Sequence, residues 1–468
     1  MNFSRQVRRT QKRKREKERK KLIKQLKLSE FTYVADDNHM TFSAMAPQLI
    51  DFMNVINLPD LIKEHVDIEK RQSFYSPDKL SQLLILQNIL GYDRIESSRT
   101  LNQDVILKQK LGIDNYPDPE TFRDDLKKYR YNNIDELFFV NTKLLEVMCR
   151  LNEPQYVDLH FDAKVITVYG DQENATEGYN PQKPGRKSYH LKVCTIEPFG
   201  FILAIQLEPG NAVGATGFAE FYTKALAGVP QNHFVVQNVR VDSGFFSEDN
   251  IQAFEGDCLF FEVVAKKYAT IKRWIQDGIA EEDFEPFYPD QTIYGAPFSF
   301  RPKTWDKPRD FIVTRKLAGH EDDGQGRLFP KWHYQVICHN QLDKSPKEVW
   351  EDYNQRARIE LNIRDLDYDY FITKVPTGVF LSNFAYAWHC VLSYNLILLF
   401  KNFVLTAQWA TCRVSTLRKK LFNIPGRLVN RSGNMIMRLI EGFPYLDVLA
   451  SVKERLLWLY RTLNPLPA

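Results

Sequence analysis

Between Gln155 and Lys266 the chain changes its periodicity, and that change limits its fold more than any other feature. "QYVDLHFDAKVITVYG" alternates apolar and polar residues, "KSYHLKVCTIEPFGFILAIQLEPG" reads as two strands around a Pro-Phe-Gly turn, and "HFVVQNVRVDSG" is a compact apolar strand ending in Asp-Ser-Gly. "TGFAEFYTKALAGV" and "SEDNIQAFEG" have helical spacing, and one more strand, "CLFFEVVAK", follows. Three antiparallel strands, then helix, strand, helix and strand, predict a mixed α/β sheet with helical cover.

The flanks have other periods. From about Phe42 to Asn152 the pattern is helical, with starts at Ser76-Pro77-Asp78 and Asp118-Pro119-Glu120-Thr121, each a capping residue followed by proline in the first turn. Residues 268–345 are aromatic and punctuated by proline, which predicts a β-rich insertion. Helices are expected to close the chain, among them "STLRKKLF" and "NMIMRLIEGF". The longest stretch without a charged residue, Val375 to Phe400, would span a bilayer, but Ser382, Asn383, His389, Ser393 and Asn395 favour a buried helix instead. The expected organisation is a basic arm (1–40), a helical DNA-binding domain (41–152), a first core segment (153–267), the insertion (268–345), a second core segment (346–375) and a helical carboxy-terminal region (376–468).

Charge is local. Residues 1–30 hold 13 lysines and arginines against 3 glutamates, leaving 50 basic against 56 acidic residues in the rest of the chain. Such an arm suits nucleic-acid phosphates, or serves as a solvated basic helix. This amino-terminal segment lacks the apolar core of a signal peptide. The six scattered cysteines form no Cys-x-x-Cys pair, which fits reduced buried thiols in a cytoplasmic protein.

Acidic residues in strands carry the chemistry. Asp162 lies in the first strand and Asp242 ends the fourth, both expected to project from a sheet edge. A carboxylate there costs free energy unless it is paired or holds a cation. "YNQRARIELNIRDLDYDY", residues 353–370, reads as one helix with Ile359, Ile363, Leu366 and Tyr370 as its apolar stripe. Tyr353, Arg356 and Glu360 lie beside that stripe within about 60° of each other. Three carboxylates from distant segments suit hard divalent cations, and two such ions about 4 Å apart catalyse phosphodiester displacement.

With these motifs in view, the chain resembles the bacterial insertion-sequence transposases that have an RNase H-like Asp-Asp-Glu core. The resemblance rests on "LGYDRIESSRTLNQD", "FDAKVITVYGDQENATEGYNPQKPGRKSYH", "VRVDSGFFS" and "YNQRARIE", whose Tyr-x2-Arg-x3-Glu spacing marks one family branch. It implies that Asp162, Asp242 and Glu360 are catalytic and bind two Mg2+ ions, with Mn2+ as a substitute, and that Tyr353 and Arg356 hold phosphates. It also implies double-stranded DNA as partner, both transposon ends and target, a homodimer on DNA, and a bacterial, nucleoid-associated protein without a membrane. A nuclease lacking strand transfer and an inactive DNA-binding derivative are the alternatives. Two positions depart from the family pattern. Where lysine often stands seven residues after the glutamate, this chain has Asp367, with Arg364 as the nearest base, and Lys164 replaces a small hydroxyl residue two positions after the first aspartate.

The loop "ATEGYNPQKPGRKSYH" brings Lys183, Arg186 and Lys187 between two strands, either as a DNA-backbone contact or as a rigid hairpin; it lacks the P-loop spacing. Ser243 sits in no nucleophile elbow and is expected to cap a turn, and His160 and His190 are expected to be packed or hydrogen-bonded. Trp274, Trp305 and Trp332 are candidates for stacking on an unpaired base or for packing in the insertion. Arg418, Lys419, Lys420, Arg427 and Arg431 give the carboxy-terminal region a basic surface, for DNA or for solvent.

Overall fold

The computed structural model describes residues 3–26, 34–69, 74–212, 214–266, 271, 273, 275, 278–322 and 328–465. After the short strand β1 (Met40–Thr41), the expected sheet is formed by β2 (Gln155–Thr167), β3 (Thr176–Glu177), β4 (Lys187–Glu197), β5 (Phe201–Pro209), β6 (Phe234–Val241) and β7 (Phe260–Val264). Its long strands lie in the order β5-β4-β2-β6-β7. β2 and β4, and β4 and β5, pair antiparallel, whereas β2–β6 and β6–β7 are parallel. The parallel pairs are made by crossovers through two helices, Phe218–Ala227 and Glu248–Gly256. This mixed order is that of an RNase H-like sheet, as the sequence predicts.

The predicted insertion does not form a separate sheet. β8 (Glu285–Pro286), β9 (Ile293–Phe300), β10 (Arg309–Asp322) and β11 (Leu328–His339) are β-rich as expected, but β11 pairs antiparallel with β7 and so extends the central sheet to ten strands. The edge of β7 is thereby covered by main-chain hydrogen bonds instead of being left open. Trp274 lies outside the described residues.

The uncharged stretch is a helix buried over most of its surface, Phe380–Phe403, packed on β5 and on two amino-terminal helices, Pro77–Leu90 and Tyr131–Cys149. Its polar residues are largely satisfied inside the protein. Asn395 accepts from the Ile202 N–H (3.0 Å) and donates to Asn141 (2.8 Å), while the Ser393 hydroxyl donates to the His389 carbonyl (2.7 Å). Among the described residues no helix is long and apolar enough to cross a membrane. One hydrophobic core runs from Met45 through the sheet to Leu463, so the amino-terminal helices share their core with the sheet.

The carboxy-terminal segment corrects one expectation. "NMIMRLIEGF" is not a helix: Asn434–Arg438 is β13, hairpinned to β12 (Gly426–Arg431), which pairs in turn with β1. Ser432 and Gly433 occupy the two-residue loop with φ of 51° and 82°, the left-handed geometry that a tight hairpin turn requires. Turn chemistry outweighed the helical spacing of the apolar residues. "STLRKKLF" is helical as expected, over Val414–Leu417 and Arg418–Phe422. The cysteines are all free, with Cys194, Cys338 and Cys390 buried and Cys258 exposed, contrary to uniform burial.

Candidate active site

Strand register brings the two aspartates together. β2 and β6 are interior strands of the sheet, so Asp162 and Asp242 rise from its middle and not from an edge. At its start the pair runs Val157 opposite Val236, and an extra residue in β6, Gln237, then resets it to Asp158 opposite Asn238. Phe161 therefore faces Val241, and the next residues along the two parallel strands are Asp162 and Asp242. Without the bulge Asp162 would face Val241, and Asp242 would fall on the opposite face of the sheet. Each aspartate is also held locally: Asp162 Oδ1 accepts from the Ala163 N–H (2.8 Å) and Asp242 Oδ1 from the Gly244 N–H (2.9 Å). Ser243 opens the short turn that Asp242 caps.

The third carboxylate comes from a broken helix. Residues 353–370 do not form one helix. Pro346–Asn354 ends, Arg356 N–H bonds the Tyr353 carbonyl three residues back (2.9 Å), and Ala357–Tyr368 begins. The tightened turn places Arg356 at the N-cap of the second helix and Glu360 in its first turn. The apolar stripe is as expected, with Ile359, Ile363, Leu366 and Tyr370 all buried.

All three acids meet at Arg356. Its Nη2 lies 3.1 Å from Asp162 Oδ1 and 3.9 Å from Asp242 Oδ2, and its Nη1 donates to Glu360 Oε1 at 2.9 Å. Burial, opposed by Arg356 and reinforced by the charges of Asp242 and Glu360, pushes the Asp162 carboxyl up to about 6. Burial alone would lower the arginine, but Asp162, Tyr353, Asp242 and Glu360 outweigh it and hold the guanidinium above its ordinary range. Tyr353 is buried beside Ile312, Ile337 and Val349, and burial pushes its hydroxyl up to about 12. A cluster of three carboxylates needs a cation, and here that cation is an arginine.

A buried ion network lies behind these acids. Asp158 and His160 precede Asp162 at two-residue steps on β2, and Arg240 precedes Asp242 on β6. Arg240 pairs with Asp158 (2.5 Å) and with fully buried Glu262 on β7 (2.8 Å), and it donates to His160 Nε2 (3.0 Å). Burial first, and then the charges of Arg240, Arg356 and Arg358, hold the His160 ring well below its ordinary value, so it is neutral with its proton on Nδ1. No motif in the sequence announces Arg240 or Glu262; only strand adjacency reveals them.

The remaining candidates lie elsewhere. Lys183 and Arg186 are exposed on the loop, and Lys187 pairs with Asp171 (2.8 Å). Arg364 is partly exposed beside Asp365. His190 contacts the Tyr179 carbonyl (3.2 Å). Trp305 is buried against Phe246 (5.2 Å) with the Arg309 guanidinium 5.7 Å from its ring, and Trp332 meets Tyr294 edge-on with Arg315 4.6 Å away. The two departures from the family pattern meet each other: Lys164 Nζ lies 2.7 Å from Asp367 Oδ2.

Residues 48–460 match the family model described as transposase DDE domain group 1. The chain is a member of the DDE transposase family. That match covers most of the transposase chain, including all three clustered carboxylates. No curated protein matches the sequence. Among solved structures, it is similar to a cryo-EM structure of the piggyBac transposase synaptic complex with hairpin DNA, at 11% identity and a TM-score of 0.44, over 90% of this chain and 85% of that one.

The residues present fit divalent metal by chemistry, since Asp162, Asp242 and Glu360 offer oxygen donors alone. As placed, they surround the guanidinium, and among the described residues no three acidic, histidine or cysteine side chains stand close enough to hold a metal ion. Arg356 occupies the centre of the cluster, so metal binding requires its side chain to withdraw.

Proposed function

We propose that this transposase binds the terminal inverted repeats of an insertion sequence, hydrolyses the phosphodiester at each end and joins the freed 3′-hydroxyls to target DNA as a homodimer. The convergence of Asp162, Asp242 and Glu360 around one cation carries this reading. Divalent metal, when bound, supplies activation of the attacking oxygen and stabilisation of the leaving oxygen. Asp162, in β2, and Asp242, just beyond the end of the adjacent β6, present carboxylates that each accept from a main-chain N–H, while Glu360, 59% exposed at its side chain, approaches from the helix. On withdrawing from the carboxylates, Arg356 is in reach of a phosphate, whose oxygens its planar fork matches.

The test is nicking of DNA that carries the element's ends, in the presence of Mg2+. Asp162→Asn, Asp242→Asn and Glu360→Gln each abolish nicking while DNA binding is retained; nicking that survives any of them overturns the catalytic assignment. Joining of a precut end to a plasmid distinguishes strand transfer from plain nuclease activity.

A further inference from the structure

Beside the carboxylate cluster lies a cleft of about 550 Å³ that the catalytic reading leaves unused. Its walls include Lys164, Lys183, Lys374, Gln172 and Gln182, and Asp367 is its one acidic lining residue. Lys164 stands two residues beyond Asp162 on β2, so the two side chains share a face at about 6.6 Å spacing. Asp367 follows Glu360 by seven residues on the helix and fixes Lys164 from above. Its second oxygen accepts from the Thr373 hydroxyl (2.7 Å), so the acceptor is itself held. Lys164 and Asp367 are both mostly buried, at 23% and 17% side-chain exposure, yet they open onto the cleft.

The opposite wall is anchored too. Asn180 donates to the Thr167 hydroxyl (3.0 Å) and accepts from the Lys183 N–H (3.0 Å), tying the loop to the end of β2. The loop also passes so close to the turn after β5 that a Cβ on Gly178 would lie 1.9 Å from the Gly210 carbonyl oxygen. Three lysines against one carboxylate, with amide and hydroxyl donors between them, make a lining that suits an anion. Lys374 also reaches Asp93 (3.6 Å) at the surface.

We propose that this cleft is a second phosphate site, which takes the DNA backbone beside the carboxylate cluster. Lys164 is its central ammonium, and Asp367 holds that ammonium in place until a phosphate draws it away. This inference rests on the DNA-binding reading above. The competing role, a strut that merely ties β2 to the helix, predicts that the two partners behave alike.

The experiment measures binding of the full chain to a fluorescein-labelled 40-base-pair duplex and to the corresponding single strand, in EDTA, across 50–200 mM salt. Lys164→Met is expected to weaken binding about tenfold and to reduce the slope of log affinity against log salt by about one, while Lys164→Arg stays near wild type. Asp367→Asn, which keeps the Thr373 hydrogen bond but frees the lysine, is expected to bind several-fold tighter. Weakening by both Lys164→Met and Asp367→Asn identifies a strut and overturns the proposal, as does a Lys164→Met protein that binds like wild type. Should Lys164→Met fail to fold, Lys183→Gln on the exposed wall must lower the salt slope, and an unchanged slope rejects the site. If wild type binds neither DNA, the DNA-binding reading on which this site rests fails with it.

Discussion

Arg356 holds opposing charges together at one point. Three carboxylates within reach of one guanidinium repel each other, and removing the arginine leaves Asp162 buried without a counter-charge. Arg356→Gln is therefore expected to lower stability in EDTA by an amount on the order of 3 kcal/mol at most, since Glu360 is largely solvated. It should also bind Mn2+ more tightly than wild type, because metal no longer competes with an internal cation. Melting temperature measured with and without Mn2+ tests both effects, and a metal-induced shift in the variant no larger than in wild type contradicts the competition.

Helices and strands supply the next level of control. The buried helix Phe380–Phe403 is tied to Pro77–Leu90 through His389, whose Nδ1 donates to the Ala385 carbonyl (2.7 Å) and whose Nε2 accepts from the Ser81 hydroxyl (3.0 Å). Burial pushes this imidazole down to about 4. Between about pH 6.5 and 4 the unfolded chain binds a proton at this position that the native chain refuses, so stability is complete above 6.5 and declines as the pH falls toward 4. The loss is on the order of 3 kcal/mol. Chemical denaturation from pH 7 to 4.5 should show it, and His389→Gln should flatten that part of the profile while lowering stability at pH 7 by a smaller amount. The β12–β13 hairpin depends on its turn: Gly433→Val forces a branched side chain to φ 82° and is expected to cost about 1 kcal/mol or more, seen as an earlier thermal transition. Gly433→Asn should cost little.

At the scale of the whole molecule, the basic helix Phe3–Leu26 stands apart in character from everything else. All its described side chains are exposed, and its charge contrasts with an acidic remainder. Deleting residues 1–26 should leave the melting temperature nearly unchanged but slow DNA association and flatten its salt dependence, since such charge acts at long range. Stopped-flow association at 50 and 200 mM salt measures this, and equal rates for the full-length and shortened chains dismiss the arm as a DNA-steering element. The continuous core predicts the opposite for the carboxy-terminal helix Leu446–Leu463: Val452 and Leu459 are fully buried, so Leu459→Ala should cost about 2–5 kcal/mol.

By itself the sequence determined what depends on neighbours a few residues apart. The order of strands and helices from 155 to 264, the buried stripe Ile359, Ile363, Leu366 and Tyr370, and the cap at Asp118 all follow from local backbone geometry, which repeats every two or 3.6 residues. Tertiary structure decided whatever needed a distant partner. The bulge at Gln237 that sets Asp162 beside Asp242, the joining of β11 to β7, the break at Gln355–Arg356, the inward turn of Arg356 and the pairing of Lys164 with Asp367 are choices among registers and partners. Local spacing leaves these alternatives nearly equal, and burial, charge pairing and hydrogen bonding across the folded chain separate them.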